Sequence, residues 1–367
     1  MNNNLETIQC LRGVACLMVL LFHGAMTEAK FWPESDYRLL HVFMFGFSGV
    51  DLFFVISGFI ITWVTFERIG RPSSIPTFFA KRALRIYPVF WVVYAILSLA
   101  VYYGVGLQYL GDDMTMGAHI KSLLLIPQDL TFNRVVPVSW TLVHEMLFYA
   151  VFCIIIAMPR TMMPAVLGLW VGLIVAASEF GFGSGSWLAY YAMSPLNLEF
   201  IFGCAVALLA KRFSIRMPVA MLATGVAIFI ASGTITNMNL GILSSAYAKV
   251  LAFGVPSFLI VWGLVEMEKR RTRRLPKALV LVGNASYSIY IIHLGIFQAV
   301  RRFTSGVEAP FGPEWGLTAQ VGWVSLLVFS GLVGGLLLHH MVEKPVMEVN
   351  SRLFRRRTPI TRPLQST

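Results

Sequence analysis

An arginine and a histidine lie eleven residues apart in one strongly apolar stretch, CLRGVACLMVLLFHG, which contains Arg12 and His23. Eleven residues make about three helical turns, so both side chains lie on one helix face, about 16 Å apart along its axis. A guanidinium group binds phosphate through paired hydrogen bonds, and an imidazole can act as a general base near neutral pH. The spacing therefore suits a long anionic cofactor held at Arg12, with its reactive end at His23. The structural alternative is that Arg12 anchors the helix at the membrane interface and that His23 is a hydrogen-bonded packing residue.

A second basic cluster lies in the stretch FFAKRALRIYPVFW. Arg82 and Arg85 are three residues apart, so they are neighbours on one helix face. We place them just before an apolar helix, with Pro88 near its first turn, where proline is tolerated. The pair could clamp a phosphate, although an ordinary cluster of interfacial basic residues explains it as well.

Carboxylates within apolar segments are the other candidates for catalysis. Glu145 is our candidate for orienting His23, because a carboxylate partner fixes the imidazole tautomer and raises its basicity. The neighbouring His144 points about 100° away on the same helix. Asp51 is a second catalytic candidate, and its competing explanation is a buried hydrogen bond between helices.

The composition is that of an integral membrane protein. Of the 367 residues, 57% are hydrophobic and 13% are charged, and the mean hydropathy is +0.72. The net charge of +11 does not indicate nucleic acid, because the basic residues lie between apolar segments and form no continuous basic face. The four cysteines fall inside apolar segments without metal-ligand spacing, so we expect no metal site.

Ten segments are long and apolar enough to cross a bilayer, which takes about 20 residues in a helix. We therefore predict an all-α, polytopic membrane helix bundle. The predicted spans are 8–26, 42–66, 86–106, 138–158, 163–179, 187–209, 216–234, 243–265, 279–300 and 317–341. The long connection 107–137 is expected to form part of an external rim, with IKSLLLIP lying on the outer surface or dipping into it.

The distribution of basic residues orients the bundle, because cytoplasmic loops retain lysine and arginine. With the N-terminus inside, 22 of the 29 lysines and arginines fall on the cytoplasmic side. We therefore predict that both termini are cytoplasmic. Residues 1–348 are expected to form one transmembrane domain, followed by a basic cytoplasmic tail at 349–367.

Five motifs follow one another along the chain, namely Arg12 with His23, GVDLFFVISGFII (49–61), RALRIYP (82–88), SWTLVHEMLFY (139–149) and GNASYSIYIIH (283–293). In this order they resemble the successive signatures of the acyltransferase 3 family of membrane O-acyltransferases. The chain resembles this family from about residue 5 to residue 348. It is most similar to the short bacterial branch that acetylates exopolysaccharides of the succinoglycan type.

The resemblance implies an enzyme of the bacterial inner membrane. It implies transfer of an acetyl group from acetyl-CoA to a sugar hydroxyl on a polysaccharide or on its lipid-linked oligosaccharide precursor, within membrane lipids. It also implies that His23 is catalytic, and that Arg12, Arg82 and Arg85 act at the cofactor site. Glu199 and His293 could line the acceptor path or serve structural roles.

A second class of function remains open, namely a proton-coupled transporter or flippase of a glycan or small solute. Buried carboxylates and histidines could then relay protons without covalent chemistry. Against this class, the sequence shows neither an inverted repeat nor a pair of broken helices. The arginine pair at 82 and 85 also has no use in a proton relay.

Overall fold

The structure is a computed structural model. It describes residues 5–31, 42–104, 115–129, 135–181, 185–238, 245–270, 275–304 and 316–354. Within these ranges the chain forms helices and no strand. The predicted all-α class is confirmed.

Fifteen α-helices, numbered here in chain order, build the described part of the chain. They are α1 Glu6–Phe31, α2 Gly49–Thr65, α3 Ile75–Tyr102, α4 Met116–Leu123, α5 Trp140–Ala157, α6 Met163–Phe180, α7 Trp187–Ala192, α8 Asn197–Arg212, α9 Pro218–Asn237, α10 Ala246–Lys249, α11 Val255–Lys269, α12 Lys277–Asn284, α13 Ser286–Thr304, α14 Gly316–Leu338 and α15 Lys344–Leu353. Turns of π-helix join α10 to α11 (Val250–Gly254) and α14 to α15 (His339–Glu343).

Nine helical segments in the described ranges are long and apolar enough to cross a membrane, and a bent pair of helices supplies a tenth. The bent pair is α12 and α13, which meet at an angle of 74°. The break follows Gly283 and Asn284, which are poor helix formers. All ten predicted spans overlap these segments, so the chain is a multi-pass membrane protein.

Helix α3 begins earlier than the sequence predicted. It starts at Ile75, so Arg82 and Arg85 lie within the helix and Pro88 lies in its interior. The predicted position of Pro88 in the first turn was therefore wrong. Hydropathy alone ends an apolar segment at charged residues, whereas here the arginines face a cavity inside the bundle and the helix continues past them.

The N-terminus of α1 is held by a carboxylate from α11. The backbone N–H groups of Glu6 and Thr7 donate to Glu268, at 2.8 Å and 3.2 Å, and the Thr7 hydroxyl bonds to the same carboxylate. A carboxylate at this position satisfies unpaired N–H groups and complements the helix dipole. Further along, α1 crosses α12 so closely that a Cβ on Gly283 would overlap the carbonyl oxygen of Gln9.

The short helix α4 and the residues after it pack along α3. Tyr94 hydrogen bonds to His119 at 2.7 Å, Trp91 donates to the carbonyl of Leu123 at 3.0 Å, and Tyr87 donates to that of Leu124 at 2.8 Å. The segment thus packs against the middle of α3. Residues 105–114 and 130–134 of this predicted loop lie outside the described residues.

Candidate active site

Two cavities meet inside the bundle. The first, here called the arginine cavity, has a volume of about 90 Å³ and is lined by Arg12, Arg82, Arg85 and Glu145. The second, here called the histidine cavity, has a volume of about 720 Å³ and contains His23 in its wall. Val50 and Tyr290 line both cavities. The residues predicted for the cofactor and for the base therefore lie in adjoining spaces.

The arginine cavity concentrates positive charge. Arg12 comes from α1 and is 8% exposed, while Arg82 and Arg85 come from α3. Arg12 donates to Gln9 at 3.1 Å, and Arg82 lies over the rings of Phe78 and Tyr149. Among the described residues, none of the three guanidinium groups forms an ion pair with a carboxylate. Three clustered cations that form no direct ion pair are costly away from bulk water, so this cavity is suited to bind an anion.

Glu145 belongs to the arginine cavity and not to His23. Its carboxylate accepts hydrogen bonds from Ser57, at 3.2 Å, and from the hydroxyl of Tyr149. Helix α5 directs the side chain toward α2 and α3, where it partly offsets the charge of the arginines. The structure thus corrects the prediction that Glu145 orients His23.

The ring of His23 is instead hydrogen bonded to His293 of α13. Its Nδ1 atom lies 3.0 Å from His293 Nε2, and His293 Nδ1 lies 2.6 Å from the carbonyl oxygen of Tyr290. A carbonyl oxygen can only accept, so His293 Nδ1 carries the hydrogen and His293 Nε2 is an acceptor in the neutral ring. His23 Nδ1 must then donate, which leaves the lone pair on His23 Nε2. This is the tautomer that a general base requires.

Tyr290 lies where the two cavities join. Its carbonyl fixes His293, and its hydroxyl lies 3.2 Å from Thr141 Oγ1. The single hydroxyl hydrogen of Thr141 goes to the carbonyl of Val138, at 3.0 Å, so Tyr290 donates to Thr141. The orientation of this tyrosine is therefore set at both its backbone and its side chain.

Asp51 lies in the wall of the histidine cavity, in the first turn of α2, and is 4% exposed. The fully buried Glu199 of α8 lies next to it and acts on it electrostatically. His144 points elsewhere, toward Asn197 at 3.2 Å. Asp51 thus shares a cavity with His23, while Glu145 does not.

Some site residues were missed or misassigned in the sequence. His293 was considered only for the acceptor path, and Tyr290 and Lys249 were not singled out. One signal was available for His293, because it follows Tyr290 by three residues on a helix, the spacing that brings its ring back to the Tyr290 carbonyl. Its contact with His23 depends on helix packing and has no signature in the sequence.

Residues 5–340 match the acyltransferase domain of the acyltransferase 3 family. The chain belongs to the acyltransferase 3 family. The predicted resemblance is confirmed, and the protein is a membrane acyltransferase. Among solved structures, none matches the chain.

Three relatives illustrate the range of the acyltransferase 3 family. The exopolysaccharide production protein ExoZ of Rhizobium meliloti is 33% identical over 84% of this chain and 91% of its own length. The acyltransferase MdmB of Streptomyces mycarofaciens is 25% identical over 97% of this chain and 94% of its own. The O-acetyltransferase OatA of Staphylococcus aureus is 25% identical over 70% of this chain and 47% of its own.

Proposed function

We propose that this protein transfers an acetyl group from acetyl-CoA to a sugar hydroxyl of an exported polysaccharide, or of its lipid-linked oligosaccharide precursor. The observation that carries the proposal is the meeting of a basic cavity and a cavity with a histidine base at Val50 and Tyr290. The similarity to a protein named for exopolysaccharide production supports the acceptor class. We place the enzyme in the bacterial inner membrane, among its lipids.

The donor binds with its phosphates on the arginine cavity. Arg12, Arg82 and Arg85 supply three positive charges without paired carboxylates, and guanidinium groups are well suited to phosphate. Glu145, held by Ser57 and Tyr149, lines the same cavity and partly offsets this charge. The thin pantetheine arm then passes between Val50 and Tyr290 and presents the thioester to His23.

The acyl transfer is a direct displacement. His23 Nε2 takes the proton of the sugar hydroxyl while the hydroxyl oxygen attacks the thioester carbonyl carbon. The bond between that carbon and sulfur breaks, and the thiolate of coenzyme A takes the proton back from His23 Nε2. The products are the sugar acetate ester and coenzyme A, so atoms and charges balance.

The two cavities correspond to two sides of the membrane in this proposal. Acetyl-CoA is cytoplasmic and too charged to cross a bilayer, so the arginine cavity faces the cytoplasm and both termini lie there. The histidine cavity receives the glycan from the opposite side. This assignment follows the excess of lysine and arginine in the predicted cytoplasmic loops.

The test is acetyl transfer by the purified protein in detergent, with labelled acetyl-CoA and de-O-acetylated exopolysaccharide from the source bacterium. The wild-type protein should label the glycan. His23→Ala should lose transfer by about 100-fold or more, the usual contribution of a general base, while its thermal melting and acetyl-CoA affinity are retained. A folded His23→Ala protein with near-normal turnover would overturn the mechanism.

A transporter or flippase remains the second candidate, favoured by the 74° break between α12 and α13. Broken helices form substrate sites in many transporters, but there they occur in corresponding positions of two repeats. In the described ranges only this one bent pair is found. Glycan movement across vesicles without any turnover of acetyl-CoA would favour transport over transfer.

A further inference from the structure

The histidine cavity contains a pair of carboxyl groups that the acyl transfer step does not use. Asp51 lines the cavity, and Glu199 lies behind it, in the first turn of α8, with 0% exposure. The two carboxyl groups lie close enough to act on each other electrostatically. Both oxygens of Glu199 are buried, and among the described residues neither has a hydrogen-bond partner.

This pair must hold a proton. Two carboxylates cannot donate to each other, and two adjacent negative charges in a buried site repel strongly. Lys249 lines the same cavity as Asp51 and stabilises its charge, whereas Glu199 lines neither of the two cavities. We therefore assign the negative charge to Asp51 and the proton to Glu199.

The backbone is shaped around Glu199. A Cβ added to Gly254 would lie 3.2 Å from Glu199 Cγ and 3.1 Å from the ring of Phe202, so a larger residue would displace the carboxyl group. Gly254 ends the π-helical turn Val250–Gly254, and such turns are frequent at functional sites. The backbone at Gly254 therefore leaves the space that the Glu199 side chain occupies behind the cavity wall.

The rest of the cavity suits a sugar. Its volume of about 720 Å³ lies within the range of about 300 to 1,000 Å³ that is usual for small-molecule sites. Trp140, Tyr190 and Tyr247 supply flat apolar surfaces, and Lys249 supplies a donor. Asp51 adds a charged acceptor, 4% exposed, in the wall of the same cavity.

We propose that Asp51 is the acceptor subsite, where its carboxylate binds hydroxyl groups of the sugar beside the one that is acetylated. Glu199 is a positioning residue that holds Asp51 by donating its proton. Lys249 stabilises the negative charge of Asp51 and donates a hydrogen bond to the same sugar. The inference rests on the proposed function, because it names the place where the glycan binds.

The experiment measures binding of de-O-acetylated exopolysaccharide oligosaccharides to the full chain by calorimetry, together with acceptor KM and kcat. Asp51→Asn and Glu199→Ala should weaken oligosaccharide affinity by about 10- to 100-fold, the loss expected for a hydrogen bond to a charged group. Glu199→Gln should retain most of the affinity that Glu199→Ala loses, because an amide still donates to Asp51. The acceptor KM should change more than kcat.

Glu266→Gln is the matched control. Glu266 is equally buried but bonds to Lys269 and Ser214 and lines neither cavity, so oligosaccharide affinity should not change. Folding of every variant is checked by thermal melting.

Several outcomes separate this subsite from the proposed function. The subsite is overturned if Asp51→Asn binds oligosaccharide like the wild-type protein, or if glutamine and alanine at position 199 have equal effects. If the wild-type protein binds oligosaccharide through Asp51 but transfers no acetyl group, the subsite stands and the acetyltransferase proposal falls.

Discussion

The hydrogen bond between His23 and His293 makes the two rings one functional group. When His23 Nε2 takes a proton, His23 becomes positively charged and its bond from Nδ1 to His293 becomes charge-assisted. That bond is then stronger in the transition state than in the ground state, which is the condition for a contribution to catalysis. In the proposed mechanism, His293 therefore acts on the reaction through His23.

Replacement of His293 should separate this role from packing. We expect His293→Ala to lower kcat by about 10-fold or more, because the His23 ring loses the acceptor that fixes its tautomer. His293→Gln should recover part of the loss, since its amide oxygen can accept from His23 Nδ1. Steady-state kinetics with unchanged acetyl-CoA affinity is the measurement. Equal activity of the glutamine and alanine variants would contradict the role.

The arginines of α3 should act on the donor. Arg82→Ala or Arg85→Ala is expected to weaken acetyl-CoA binding by about 2 to 5 kcal/mol, the cost of removing one partner of a desolvated charge pair. Replacement by lysine should restore only part of the acetyl-CoA affinity, because an ammonium group cannot bind phosphate through two parallel hydrogen bonds. Calorimetry measures the affinity.

Arg160→Ala is the control for these variants. Arg160 pairs with the exposed Glu67 and lines neither cavity, so acetyl-CoA affinity should stay as in the wild-type protein. Unchanged donor affinity in the α3 variants, with poorer use of glycan, would instead assign those arginines to the acceptor.

The sequence predicted the site residues that lie together on one helix, but it did not predict contacts between residues of different helices. Arg12 with His23, and Arg82 with Arg85, follow from helical spacing alone, and the structure brings the two groups to adjoining cavities. His23 and His293 are 270 positions apart, so their contact follows from packing. The same applies to Glu145, whose partners on α2 and α5 replaced the one predicted.

At the scale of elements, charged residues caused a helix start to be predicted at the wrong position. The ten spans were found because apolar length is a strong signal, whereas the start of α3 was misplaced because Arg82 and Arg85 lie inside the helix. The break between α12 and α13 likewise lies inside a segment that was predicted as one continuous span, 279–300. Helix boundaries were therefore least predictable where the site lies.

The crossing of α1 with α12 depends on a glycine, and we expect Gly283→Ala to destabilise the fold by about 1 to 3 kcal/mol, the usual cost of overpacking. The added methyl group would overlap the carbonyl of Gln9 and push α1 away. Thermal melting in detergent measures the effect.

Gly172→Ala in α6 is the matched control. No atom lies within 4 Å of a Cβ at that position, so the melting temperature should not fall. Equal melting of the two variants would show that the crossing tolerates a larger residue.

At the scale of the whole molecule, two cavities that join inside one bundle predict one-sided use of the donor. In sealed vesicles of known orientation, acetyl-CoA supplied to the cytoplasmic face should acetylate glycan on the opposite face, and acetyl-CoA supplied outside should not. Labelling of the glycan measures the transfer. Use of donor and acceptor from the same face would reject the proposed passage.

Cysteine labelling tests the orientation independently of activity. A cysteine placed near Arg274 should react from the cytoplasm, and one placed near Asp112 should react from outside. Both positions lie outside the described residues, so this arm rests on the sequence prediction of sidedness. The reverse labelling pattern would show that the bundle has the opposite orientation in the membrane.

The anchoring of α1 has a consequence for the length of the donor. Glu268 holds the first turn of this helix and the crossing with α12 follows directly, so the position of α1 in the bundle is fixed. Eleven residues of that helix separate Arg12 from His23 by about 16 Å. In the proposed mechanism, helix α1 therefore sets the distance between Arg12, which binds the phosphates of the donor, and His23, which acts as the base. A thioester on a shorter arm would leave its carbonyl short of His23 even when its phosphates are bound. Length, as well as charge, would decide which thioesters in the cell are used.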